Sequence, residues 1–309
     1  MATTPRKLDP TGTTSLRLKF RQKIRARMAV VQQVILDAVV KEDVLGLLPV
    51  TLARVKPSDL GMSTPGLRAF EFRTDDEKLV GFASWAEEMS ALGILSFQTA
   101  MGDSLLGAAL SGRSHWSDLY IMTAFKKGLS DGVRDYRRAQ MGVGIKTGLP
   151  FGASADTFVA GQLLLPVNAD KARLIYTRAY TELKGITAEM DRGISRALAG
   201  VIARGGDPAQ ASREIRKVVQ LAKNRADILA RTEIIRAHAE AKLNMFEQLG
   251  AIGVSVLAEW STAGDDRVCP LCEPLEGKIY TMQEARGLIP RHPNCRCTWI
   301  PYVPPLKEK

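Results

Sequence analysis

No stretch of this chain is apolar for long enough to cross a bilayer. The best candidate, "MAVVQQVILDAVV", is short and interrupted by Gln32 and Gln33, so no membrane partner is expected. The N-terminus, "MATTPRKLDPTGTTS", has basic residues but no apolar core of a secretion signal, so no oxidising compartment is implied. Aromatic residues make up only 6% of the chain, and Phe20 alone lies among the basic N-terminal residues, which excludes a stacking platform for single-stranded nucleic acid. No repeat of fixed period is present, so a solenoid is excluded. What remains is the composition of a folded soluble protein. The 309 residues are 45% hydrophobic and 25% charged, enough for one large domain or two ordinary ones.

The net charge of +10 is unevenly placed. Residues 1 to 27 hold Arg6, Lys7, Arg17, Lys19, Arg21, Lys23, Arg25 and Arg27 against Asp9, a net +7. The six from Arg17 to Arg27 form an arm that would attract DNA or an acidic protein surface, with an affinity that falls steeply with salt. The plainer alternative is that "SLRLKFRQKIRARMAVVQQVILDAVV" is an amphipathic helix whose basic face is merely solvated.

Apolar spacing predicts helices along most of the chain. After the first helix comes a Pro/Gly-rich connection, "LGLLPV" to "KPSDLGMSTPG", and then a helix capped by Thr74 or Asp75. "SHWSDLYIMTAFKKGLSDGVRDYRRAQMG" is another helix, weakened by Gly128 and Gly132 at about 1 kcal/mol each. Residues 142–168 are rich in Gly and small side chains and are expected to be a long loop and domain boundary. Ile175, Ala179, Leu183, Ile186, Met190, Ile194, Leu198 and Val201 keep three- and four-residue steps. In "RGGDP", Gly205 suits a left-handed helix end, Asp207 a cap and Pro208 a first turn. A final helix is expected from about Arg225 to Leu249, followed by the strand-like "VSVLAEW".

All four cysteines fall in "VCPLCEPLEGKIYTMQEARGLIPRHPNCRC", beside one of only three histidines. Cys269 and Cys272 are spaced C-x2-C, nineteen residues follow, and His292, Cys295 and Cys297 are spaced H-x2-C-x-C. Clustered thiols in a reducing compartment usually mean metal, and two short-spaced pairs on separate turns can place four donors in the tetrahedron that Zn2+ prefers. "CPLC" and "HPNC" each carry proline after the first ligand, where a fixed φ presets a tight knuckle. Cys269, Cys272, His292 and Cys295 are the favoured set, with Cys297 as a fifth donor able to replace either member of the second pair. A disulfide framework is the structural alternative.

The segment "ARTEIIRAHAEAKLNMFEQLGAIGVSVLAEWSTAGDDRVCPLCEPLEGK" followed by "IPRHPNCRC" resembles the C-terminal signature of the phage head-morphogenesis family, the Mu F-like minor head proteins. The resemblance rests on Arg231, Thr232 and Glu233, then Trp260, then the Asp266-Arg267-Val268-Cys269 turn, then Cys272, then His292, Cys295, Arg296 and Cys297. It covers residues 170 to 300. It implies a tailed-phage virion component inside the head near the portal, present in the host cytoplasm during assembly. Such a protein would act in head morphogenesis, DNA packaging or DNA ejection. The implied partners are the portal protein or scaffold, and double-stranded DNA, with no small-molecule substrate.

An enzyme is the other class to weigh. His238-Ala239-Glu240 with Cys269 and Cys272 imitates the H-x-E and C-x-x-C parts of zinc nucleobase and nucleoside deaminases. Val268 stands where that signature needs proline, the His-Ala-Glu lies deep in a long helix, and "HPNCRC" is left unexplained. A zinc nuclease lacks a neighbouring histidine to activate water once His292 binds metal. Glu233 and Asp266 invite an acid–base role, but ion pairing on a helix accounts for Glu233 as well. His238 reads as a packed or partly exposed histidine, and His115 as a loop histidine without partners. The expected architecture is mainly α: a helical bundle or hairpin with a small C-terminal zinc-stapled α+β module, working by binding. Its segments are a basic arm and helix (1–60), an N-terminal helical region ending in the Gly-rich loop (61–168), a helical platform (169–250) and the Cys/His module (251–309).

Overall fold

A computed structural model describes residues 9–48, 74–99, 113–144 and 154–304. Arg6, Lys7, most of the Pro/Gly-rich connection and residues 145–153 of the expected loop lie outside them. The described chain is mainly helical with a small three-stranded antiparallel sheet near its C-terminus.

Helix α1 (Thr14–Leu36) buries Phe20, Ile24, Met28, Val31 and Ile35, one stripe in steps of three and four. A wider turn, Asp37–Lys41, continues it. Helix α2 (Asp75–Ile94) begins where Thr74 Oγ1 accepts the Glu77 amide at 3.2 Å, and the acidic first turn of Asp75, Asp76 and Glu77 faces the positive end of the helix dipole. Strands β1 (Phe97–Thr99) and β2 (Arg113–His115) pair as a ribbon ahead of helix α3 (Asp118–Gly142).

The stretch expected to be a loop holds structure of its own. Ser154 caps a ten-residue helix, α4 (Ala155–Leu164), and Pro166 opens helix α5 (Pro166–Ala203). Along α5 the predicted apolar positions are buried except Ile186, which is only half-buried while Thr187 beside it takes the inner position. Gly205 is left-handed at φ +61°, and Asp207 Oδ1 accepts the Gln210 amide at 2.7 Å, so "RGGDP" ends one helix and starts the next as expected.

Helix α6 (Pro208–Ile252) runs 45 residues without the expected new start near Arg225. Nothing between Pro208 and Gly250 is proline or glycine, so the backbone has no cause to break. Strand β3 (Leu257–Ser261) lies between β4 (Ile279–Tyr280) and β5 (Thr298–Tyr302), with Trp260 opposite Trp299. A short helix, α7 (Met282–Ala285), follows β4 with a reciprocal cap between Thr281 and Glu284.

The chain forms two compact units, each discontinuous in sequence and each drawing on several of the four expected segments. The first comprises Met1–Arg21, Gln98–Tyr180 and Ile228–Lys309; the second comprises Gln22–Phe97 and Thr181–Asp227. In the first, α3 lies so close on α6 that a Cβ at Gly128 would sit 2.4 Å from the His238 carbonyl, and one at Gly132 would sit 2.7 Å from Met245 Cβ. The two glycines that weaken α3 as an isolated helix are what allow this approach. Tyr136 reinforces it: its hydroxyl is 3.0 Å from the Leu249 carbonyl and receives the Val254 amide at 2.9 Å. In the second unit the Arg25 guanidinium grips Asp227 with both Nε and Nη2, Arg27 donates to the Gly93 carbonyl at 2.7 Å, and Ser90 donates to Asp191 at 2.6 Å.

Candidate metal centre

Two knuckles carry the donors. In the first, the Cys272 and Glu273 amides both reach back to the Cys269 carbonyl at 3.0 Å, a tight turn after Pro270. In the second, the Cys295 amide reaches the His292 carbonyl at 3.2 Å while Asn294 adopts φ +65°. Asparagine tolerates that left-handed conformation better than most residues. Both turns display their donors inward without help from a regular element.

The sequence-predicted donors meet in space. His292 Nε2 lies 3.0 Å from Cys269 Sγ and 3.3 Å from Cys272 Sγ. Two overlapping donor groups result, Cys269–Cys272–His292 and Cys272–Cys295–Cys297, each with ligand atoms within 4.8 Å of one another. Cys272 is common to both. The other ring nitrogen, Nδ1, lies 2.7 Å from the Pro293 carbonyl, a second contact of the kind that fixes a ligating imidazole. All four cysteines are free thiols, so no disulfide framework forms.

The thiols are electrostatically ill-matched to one another without a cation. A hydrogen bond from Cys297 pulls Cys295 down to about 5 against the opposing effect of burial. Burial and the neighbouring Cys295 push Cys272 up to about 12. Cys297 rises as well, through its bond to Cys295 and through burial. Cys295 is therefore accommodated as a thiolate while Cys272 and Cys297 resist ionisation, whereas a divalent cation would let several ionise together. The sulfur and imidazole donors fit a borderline-soft metal ion.

Around the donors the module is fastened from several sides. Asp265, which the sequence pattern does not single out, receives both Nη atoms of Arg296 at 2.6 and 2.5 Å and one of Arg267 at 3.2 Å. Those charge-assisted bonds tie one knuckle to the other, and they hold Asp265 well below the usual carboxylate range. Asp266, the carboxylate the motif highlights, is exposed. Trp260 is fully buried in edge contact with Trp299, their centroids 5.2 Å apart. Arg286 binds Glu240, Asn244 and Glu247 of α6, and the Gly287 amide donates to Glu240 at 2.8 Å, so the module docks on the helix. Periodicity could not reveal Asp265, Arg286 or Glu240, because their partners are distant in sequence.

The remaining motif residues separate. Glu233 is buried between Arg178 and Arg236, each with Nε 3.4 Å away, and burial raises its pKa despite them. It is an ion-paired core carboxylate, not a contact of the metal turn. Thr232 bonds back to the Ile228 carbonyl. His238 is fully buried with Nε2 2.9 Å from Asp131, and burial lowers its pKa while Asp131 opposes that shift. Glu240 receives Arg286 and Gly287. Among the described residues neither His238 nor Glu240 joins a metal-holding group, so the deaminase-like pattern is not assembled.

His115 departs from expectation. It is buried, with Nδ1 2.6 Å from Ser117 Oγ and its ring edge-on to Tyr180, because the turn into α3 folds it inward.

The basic arm divides too. Arg17 is buried and paired with Asp9 at 3.0 Å, Arg25 with Asp227, and Arg27 with the end of α2. Lys19, Arg21 and Lys23 remain exposed.

The fold and site thus define a helical protein whose C-terminus is organised around a Cys/His centre. Residues 192–300 are similar to the family whose model is described as Phage Mu protein F like protein, the family that the motifs resemble. That family is one of phage head proteins. No curated protein and no solved structure matches the chain significantly.

Proposed function

We propose that the chain is a minor head protein of a tailed phage, placed inside the head near the portal and acting in head morphogenesis, DNA packaging or DNA delivery by binding. The observation that carries this reading is the Mu F-like region ending in the Cys/His centre. The ion would be structural Zn2+, held by Cys269, Cys272 and His292 with a thiol of the second knuckle, and it would supply folding free energy to the module. Four protein donors would leave no open position for a reacting water, which favours binding over turnover.

Portal or scaffold and double-stranded DNA are the partners this reading names. Of the arm, Lys19, Arg21 and Lys23 are exposed for them. If these three alone meet phosphates, log K falls against log salt with a slope of about −2.7. The deciding experiment is a phage lacking this protein, with particles scored separately for shell yield, DNA content and infectivity. Shells are expected to form, and to infect poorly through faulty packaging or delivery. Normal infectivity overturns the assignment.

A further inference from the structure

In the second unit α5 and α6 touch at Gly193, where a built Cβ would sit 2.8 Å from Val218 Cγ1. A groove of about 240 Å³ lies along that contact. Ile186, Met190 and Ala222 line it, and so does Leu221, a large apolar side chain that is 64% exposed in the middle of a helix. The volume is below that of a site for a drug-sized ligand and suits one or two large side chains. Glu189, Arg196 and Arg225 complete the lining. Arg225 pairs with Glu189, whereas Arg196 gives its Nε to the Arg192 carbonyl at 3.4 Å and pairs with no carboxylate among the described residues. The groove is therefore apolar within and keeps one unspent cation.

The same unit presents a matching projection. On α2, Leu92 is 62% exposed, and Glu88, one turn before it, is exposed and pairs with no cation among the described residues. Two residues past Ser90, Leu92 falls on the opposite side of α2 from the hydrogen bond between Ser90 and Asp191 of α5. It points away from the groove of its own chain. A leucine with a carboxylate one turn away is the complement of an apolar groove with an arginine on its wall, the pattern of a helix laid in a groove.

We propose that this groove binds α2 of a second copy of the chain, with Leu92 entering beside Leu221 and Glu88 meeting Arg196. Groove and projection are different surfaces, so the contact is head to tail. Each added copy leaves one of each open, and repetition closes a ring or extends a filament. One side chain in one groove is a small contact, so the association is weak and rises with concentration. The inference does not draw on the head-protein reading.

The test is sedimentation velocity of the full chain over a concentration series, for wild type, Leu221→Glu and Leu92→Glu. Both leucines are exposed, so the variants keep the wild-type helicity, checked by circular dichroism. Wild type is expected to form species larger than a dimer as concentration rises, and each variant to associate at least about tenfold more weakly. An equimolar mixture of the two variants should form a dimer and stop there, because one supplies an intact Leu92 and the other an intact groove. Arg196→Glu should weaken association, and Glu88→Arg added to the same chain should restore it. A wild type that stays monomeric at every concentration overturns the proposal and leaves the groove to an acidic helix of another protein. Association undiminished in the leucine variants overturns it, as does a variant mixture that stays monomeric or a charge swap that restores nothing.

Discussion

The α3–α6 pair and the C-terminal module lie in the same compact unit and are held together by opposite means. The helices approach until glycine is the only residue that fits, at Gly128 and Gly132, and their polar groups are buried in matched pairs: His238 with Asp131, and Lys242 with Asp135 at 2.7 Å. The module has short strands, a core centred on Trp260 and Trp299, and turns whose inner faces are thiols. One region gains stability from side chains that already fill space. The other concentrates thiol and imidazole donors that could hold a metal ion. Cohesion by packing is spread over many contacts, whereas cohesion by ligation hangs on single atoms.

The comparison breaks most severely where a single donor is shared. Cys272→Ser, or chelation of the metal, should unfold the module while α3 to α6 keep their helicity, because structural zinc contributes roughly 10–16 kcal/mol in small zinc-binding peptides. Limited proteolysis within residues 257–304 and far-UV circular dichroism read the two regions separately. Metal analysis should give about one zinc per chain. Simultaneous loss of both regions would show that the helices also depend on the ion.

On the packed side the effects are smaller and graded. Gly128→Ala forces a methyl against the His238 carbonyl and should destabilise by about 1–3 kcal/mol, even though alanine is the better helix former. Gly185 on α5 has nothing within 4 Å of a built Cβ, so Gly185→Ala should instead stabilise by up to about 1 kcal/mol. Denaturant midpoints for the two variants should move in opposite directions. A shift of the same sign would mean that the close approach of α3 and α6 is not what the glycine serves.

Asp191 sharpens the point in the second unit. Burial raises its pKa to about 6, against the hydrogen bond from Ser90 and with Glu87 adding to the rise. An acid whose folded pKa is raised holds its proton longer when folded, so its contribution to stability falls as pH climbs from about 4 through about 6. Asp191→Asn keeps an acceptor for Ser90 and removes the buried charge. It should raise the unfolding free energy above pH 7 by about 1–2 kcal/mol, read from denaturant unfolding, and make no difference below pH 4. A pH-independent effect would assign the change to packing instead.

Most of the helices, several of their ends and the candidate metal donors were legible in the sequence, because each depends on spacing; helix α4 and the unbroken course of α6 were not. Thr74, Asp207 and Gly205 mark boundaries within a few residues, and C-x2-C with H-x2-C-x-C places donors on two short turns. Those signals are local, so they survive without knowledge of what packs against them. Tertiary structure alone decided what the glycines of α3 are for, that Asp265 rather than Asp266 joins the knuckles, and that Arg17, Arg25 and Arg27 are tied inward while Lys19, Arg21 and Lys23 are exposed. It also folded His115 inward and left the Nε of Arg231 buried without an acceptor. The physical reason is the same throughout: a charge or a missing side chain takes its meaning from its partner, and here the partner is tens to hundreds of residues away along the chain.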